Sequence, residues 1–379
     1  MLGNFRIRCK ELFWLMLFFA CLAQVGQAQL GPCAATAEET VGNGPPLRIV
    51  VFGDSVAWGN GLKETGDRGV VGHKFSAIIA DWITVKLNRK VERTVFAHSA
   101  AAIQPRNGTP NPSDTWPGDV NSSYPLIPDQ LKCLSADQRQ TVKLVLIDGC
   151  INDVDAFGVV DPSHDVAWVT KATTAFCGDP VKNLLSQAAS LYPNAVIVVS
   201  GYYPIISGKS DIAPFLDFLR QFFPHNPALM SWQVEARKSR NFSVVQPPEL
   251  LAALGTSAEN STKFYELSNQ LLYDAADAAN KQLAEKRVFF VKIPFTAENA
   301  FGASNSLLWP IPGTSFSNGT LGFDEEYGDR WAACWDAYGA DLSGAGICHV
   351  DATAHPNVQG AQLYANEIEK VLLTIMNRL

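Results

Sequence analysis

The 379-residue sequence predicts an α/β fold in which a parallel sheet of five strands is covered on both faces by helices. Three observations lead there. Short β-branched apolar runs recur along the chain, apolar residues at helical spacing fill the intervals between them, and polar motifs follow directly on several run ends. An apolar content of 47% with 18% charged residues suits a globular chain with a sizeable core.

Taken in order, residues 1–28 read as an export signal. Arg6, Arg8 and Lys10 precede an apolar run at 12–25, and Gly26 and Ala28 suit cleavage after Ala28. That run is shorter than the roughly 20 residues a bilayer span needs, so no stable membrane span is expected after cleavage. A retained anchor or lipidation at Cys21 are the weaker readings. Residues 29–46 are small and polar and read as an N-terminal arm, and 47–379 as the main domain. The five strands fall at 47–52, 91–97, 142–147, 195–200 and 288–293. Helices are expected at 73–89 (Phe75, Ile78, Ile79, Trp82 and Ile83 share a face), 181–192, much of 211–286, and 357–376. Residues 104–140 read as a long loop with some short helix. A helical and aromatic insertion occupies about 205–345, with Trp309, Trp331 and Trp335 among its glycines. It either shapes a substrate site or packs as a subdomain, the latter being favoured.

Beyond the signal segment there are six cysteines, at 33, 133, 150, 177, 334 and 348. An even count in an exported chain favours disulfides, placing the protein outside the cytoplasm: secreted, or periplasmic in a Gram-negative cell. Loop length alone favours Cys150–Cys177 and Cys334–Cys348, leaving Cys33–Cys133, but the connectivity stays open. Asn107, Asn121, Asn241, Asn260 and Asn318 head glycosylation sequons that matter only in a eukaryotic secretory route. A net charge of −7 argues against nucleic acid or an anionic membrane as the main partner.

Three motifs carry candidate chemistry. Gly53-Asp54-Ser55-Val56 follows the first strand and sets a serine at the ligand edge of the sheet, ahead of a helix N-terminus. As structure alone it is a helix cap. Gly149-Cys150-Ile151-Asn152-Asp153 follows the third strand; Asn152 offers a side-chain N–H to an oxyanion, or simply makes a turn. Asp351 to Asn357 precedes the last helix and holds His355, a base able to activate Ser55. Two other sets are weaker: His349, Asp351 and His355 as metal ligands, and Asp54 with Asp153 as a glycosidase-type acid pair.

Together, in this order and setting, the motifs resemble the SGNH hydrolases, also called the GDSL lipase/esterase family. The likeness rests on 47–60, 91–103, 142–157, 195–204 and 347–375. It implies a flavodoxin-like three-layer α/β/α sandwich and Ser–His chemistry on carboxylic esters, with no metal or organic cofactor. It makes Ser55 the nucleophile, His355 the general base, and Ser55, Ala100 and Asn152 the oxyanion donors. The substrate is then a small-molecule, lipid or acylated-sugar ester. Two positions depart from the family pattern. Ala100, in His98-Ser99-Ala100-Ala101, stands where the family has glycine; it keeps the N–H but resists a positive φ. The family's Asp-x-x-His spacing puts the acid at 352, which is Ala352, so either Asp351 or a backbone carbonyl orients His355. His98 reads as structural or substrate-side. A non-catalytic binding protein on the same fold and an O-acyltransferase using the same pair are the alternatives.

Overall fold

Continuous runs of Val, Ile and Leu at the expected positions bury both faces of each central strand, as a parallel sheet between helix layers requires. The computed structural model describes residues 33, 35–64, 73–105, 125–222, 248–312, 315–317, 320–322, 327–338 and 342–379. Residues 1–28, read as an export signal, and the sequons at Asn107, Asn121, Asn241 and Asn318 lie outside them.

The strands are β1 (Ala37–Val41), β2 (Pro46–Phe52), β3 (Lys90–Val95), β4 (Val142–Ile147), β5 (Val196–Ser200) and β6 (Val288–Val291). Their order across the sheet is β1-β3-β2-β4-β5-β6. The pairs from β3 to β6 are all parallel, and β1 alone is antiparallel, against β3. Renumbered without β1, the parallel strands run 2-1-3-4-5, the flavodoxin-like order, whose switch point opens between β2 and β4. The sheet therefore has six strands where five were expected. The extra one lies inside the expected N-terminal arm. Its sequence, Ala-Glu-Glu-Thr-Val, has no apolar run because one side of an edge strand faces solvent. Its Glu39 reaches the fully buried Arg93 of β3 at 2.8 Å.

Helices flank the sheet: Phe75–Leu87 and Val358–Thr374 pack on one another, and Pro248–Asn280 packs on Val166–Cys177 and Asp179–Leu191. The expected helices at 73–89 and 357–376 differ from these by one to two residues at each end. Val166–Cys177, capped by Asp165, has no counterpart in the sequence reading. The 104–140 stretch holds two short helices, Ile127–Gln130 and Ala136–Thr141, among its described residues. Of the insertion, Phe301, Leu308, Trp309 and Cys334 join the same hydrophobic core as the sheet, so this part of it packs rather than standing apart.

Disulfides link Cys33–Cys133, Cys150–Cys177 and Cys334–Cys348. No helix among the described residues is long and apolar enough to cross a membrane. Asn260 is buried in the helix Pro248–Asn280 and its Nδ2 donates to the His164 carbonyl at 2.9 Å. That sequon therefore has no room for a glycan in the folded chain.

Candidate active site

The turn after β2 is fixed before any side chain is considered. Gly53 has φ 136°, and a Cβ there would lie 1.9 Å from Asp148 Oδ1, so only glycine fits. Gln130 clamps the same residue from the helix Ile127–Gln130: its Oε1 accepts from Gly53 N at 2.8 Å and its Nε2 donates to Gly53 O at 3.0 Å. Asp54 then caps the helix Ser55–Trp58, its Oδ1 accepting from Val56 N at 2.9 Å. That helix is one turn long, so Ser55 gains local N–H donors and little macrodipole, less than a full helix would offer.

Beneath the turn lies a buried acid pair. Asp148 Oδ1 accepts from Asp54 N at 2.9 Å, and Tyr202 donates its hydroxyl to Asp54 Oδ2 at 2.7 Å. Burial and then the charge of Asp54 push Asp148 well above the usual carboxylate range. The same Tyr202 oxygen accepts from Ile151 N at 3.3 Å, tying the Ser55 turn to the Asn152 block. Neither Gln130, Asp148 nor Tyr202 stood out in the sequence. Each acts across a separation of at least 51 residues, which no local pattern records.

His355 Nε2 lies 2.7 Å from Ser55 Oγ, across 300 residues of chain. The histidine loop is held by backbone. Ala354 N donates to Trp309 O at 2.9 Å, Trp309 N donates to His355 O at 2.8 Å, and the Tyr203 hydroxyl donates to Ala354 O at 3.1 Å. Arg330, fully buried, stacks 5.0 Å from the Trp309 ring and donates to Pro310 O at 2.8 Å. Trp309 and Arg330 of the insertion thus sit behind His355. Burial lowers the His355 pKa to about 4, while backbone groups of Thr353, Asp351 and Ala352 favour the charged ring. The imidazole is neutral at pH 7, the state a base requires.

Asp351 is placed elsewhere. Its Oδ2 accepts from Ser99 Oγ at 3.1 Å and from Asn60 Nδ2 at 3.3 Å, and His355 Nδ1 makes no hydrogen bond. Ala100 has φ 55°, an angle costing a residue with a Cβ about 1–2 kcal/mol. Asn152 Nδ2 donates to Ala101 O at 3.0 Å, joining the Asn152 block to the Ala100 turn. Asp153 accepts from Ile103 N and Gln104 N at 2.9 and 2.8 Å, and Asp54 is engaged as above, so each of these carboxylates braces a turn. His98 is buried three residues beyond β3, its backbone N–H on Gly53 O at 3.2 Å, and burial lowers the ring pKa to about 4. Among the described residues no three His, Cys, Asp or Glu side chains are grouped to hold a metal ion.

A serine and a histidine in hydrogen-bond contact at the switch point of a doubly wound sheet define the class: an α/β protein with a Ser–His site. The chain belongs to the GDSL-like lipase/acylhydrolase family, whose model matches residues 49–368. Solved structures similar to it include the extracellular lipase of Streptomyces rimosus, at 14% identity and TM-score 0.44, covering 86% of this chain and 99% of that one. The phospholipase A1 of Streptomyces albidoflavus NA297 is similar at 14% identity and TM-score 0.43, covering 85% and 98%. A family two carbohydrate esterase from Clostridium thermocellum gives 13% identity and TM-score 0.38, covering 89% and 68%. Among curated proteins none matches the chain by sequence.

Proposed function

We propose that the protein is a secreted carboxylic ester hydrolase working through a Ser55 acyl-enzyme. The observation that carries this is the 2.7 Å contact between Ser55 Oγ and His355 Nε2 at the strand ends. Ser55 Oγ attacks the ester carbonyl carbon as its proton passes to His355 Nε2. The carbonyl oxygen gains negative charge and is held by the N–H groups of Ser55 and Ala100 and by Asn152 Nδ2. His355 returns its proton to the departing alcohol, and a water deprotonated by the same ring then cleaves the acyl-enzyme. Orientation of the base falls to its loop, held by the Trp309 and Tyr203 contacts. These steps use this chain's own groups alone. The substrate class is an ester of a small molecule, a lipid or a sugar. Pairing of all six cysteines from Cys33 onward supports an oxidising, extracytoplasmic location.

The test is hydrolysis of a short-chain aryl ester by purified protein, beside Ser55→Ala and His355→Ala. Wild type is expected to turn over, and each variant to fall by about 10³-fold or more. If all three match buffer across several ester classes and a serine-directed phosphonate leaves Ser55 unlabelled, the reading is wrong. A non-catalytic binding role then takes its place. Acyl transfer to an added alcohol, assayed in the same mixture, separates a transferase from a hydrolase.

A further inference from the structure

We propose that Asp351 is a positioning residue for the oxyanion turn and does not serve as the acid partner of His355. The inference rests on the ester-hydrolase reading above and goes beyond it. Residues His98 to Ala101 form a tight turn closed by Ala101 N on His98 O at 3.4 Å. Ser99 has a negative φ and Ala100 a φ of 55°, the sign pattern of a type II turn. Types I and II differ by a flip of the peptide between the two central residues. Here that is the Ser99–Ala100 peptide, and it carries the Ala100 N–H assigned to the oxyanion. In the type I arrangement that N–H points elsewhere.

A glycine at the second central position removes the steric preference against type II, whereas alanine disfavours it. The turn is therefore biased towards the flip that would remove a donor, and something must hold it. The buried Asp351 carboxylate does, because its Oδ2 accepts from Ser99 Oγ at 3.1 Å. The same oxygen accepts from Asn60 Nδ2 at 3.3 Å, and Asn60 N donates to Ser55 O at 3.0 Å. One carboxylate thus ties together the two turns that supply the backbone donors of Ser55 and Ala100. His355, whose Nδ1 has no hydrogen bond, is held by its own loop.

The experiment measures kcat, KM and pH profiles on an aryl ester for Ser99→Ala, Asp351→Ala and Asp351→Asn. Each is made in the wild-type and in the Ala100→Gly background, with folding checked by thermal melts and Ser55 dependence by Ser55→Ala. Ser99→Ala and Asp351→Ala are expected to lower kcat about tenfold in the wild-type background, with KM within about twofold and the acid limb of the profile unmoved. Relative to the Ala100→Gly parent the same changes cost less than about threefold, since glycine no longer needs the hold. Asp351→Asn keeps an acceptor oxygen and retains most of the activity, where loss of a true triad acid costs about 10⁴-fold. Equal losses in both backgrounds, a shifted acid limb, or an Asp351→Asn variant as weak as Asp351→Ala overturns the inference while leaving the hydrolase reading intact. If Asp351→Ala does not fold, Ser99→Ala alone decides. Absence of Ser55-dependent turnover in the wild type overturns both.

Discussion

Single residues set the charge state of the proposed base. His355 is neutral at pH 7 because burial lowers its pKa to about 4, so activity should persist well below the ordinary imidazole range. The acid limb of kcat/KM is expected near pH 4 and not near 6.5, measured on an ester whose own hydrolysis is slow there. A limb at 6.5 would mean that the ring is solvated in the working enzyme. Gln130 gives a second prediction. It meets both the N–H and the carbonyl of Gly53 with its one amide, and all three groups are buried. Replacing it by alanine strands the Gly53 N–H, while the carbonyl keeps the His98 N–H, and should cost about 1–3 kcal/mol in urea unfolding. A loss under about 0.5 kcal/mol would show that water replaces the clamp.

Among the elements, edge strand β1 was hardest to see in the sequence and is the simplest to test. Its adjacent Glu38 and Glu39 look like part of an arm until β3 lies beside it, with Ala37 to Val41 paired residue by residue to Val95 to Val91. Glu39 then becomes one of two carboxylate partners of the fully buried Arg93, the other being Glu64. Glu39→Ala leaves that guanidinium with Glu64 and the Ser76 hydroxyl and should cost about 2 kcal/mol, less than complete loss of a buried pair. Equilibrium unfolding decides; an unchanged midpoint would mean that Glu64 alone satisfies Arg93. The missed helix Val166–Cys177 has a different cause. Its buried residues are Val169, Thr173 and Cys177, a thin stripe in which a threonine and a half-cystine take core positions.

At the scale of the whole molecule, stability should fall on acidification. His98 and His355 both have folded-state values near 4 against an ordinary 6.5. The unfolded chain therefore binds more protons between pH 6.5 and 4, and the stability present above 6.5 is lost across that window. Asp153, raised to about 6 by burial, and Asp148, raised well above the ordinary 3.8 by burial and then by the charge of Asp54, work the other way and offset part of the loss. Urea unfolding at pH 7, 5.5 and 4.5 should show the decline, and His98→Gln should flatten it. The disulfides act at the same scale. Cys33–Cys133 closes a separation of 100 residues and Cys334–Cys348 one of 14. Loop entropy assigns about 4.7 and 3 kcal/mol to loops of such lengths, so the double alanine variant of the first pair should unfold at lower urea.

The sequence by itself determined the class of fold and singled out Ser55 and His355 as a candidate pair, which the fold brings within 2.7 Å. Strand and helix periods are local properties, so apolar runs and their polar ends located β2 to β6 and put Ser55, Asn152 and His355 at strand or helix ends. Those motifs are short and contiguous, and they sit where a parallel sheet opens for its ligand. Only the tertiary structure decided what braces them. Gln130, Asp148, Tyr202 and Trp309 reach the site from segments distant in the chain, and hydrogen bonds of that kind leave no periodic trace. Asp351 shows the limit most sharply. One residue of spacing separates it from the family's acid position, and the loop carries its carboxylate to Ser99 and Asn60. A partner is chosen by where the backbone points a side chain in space, which spacing along the chain does not specify.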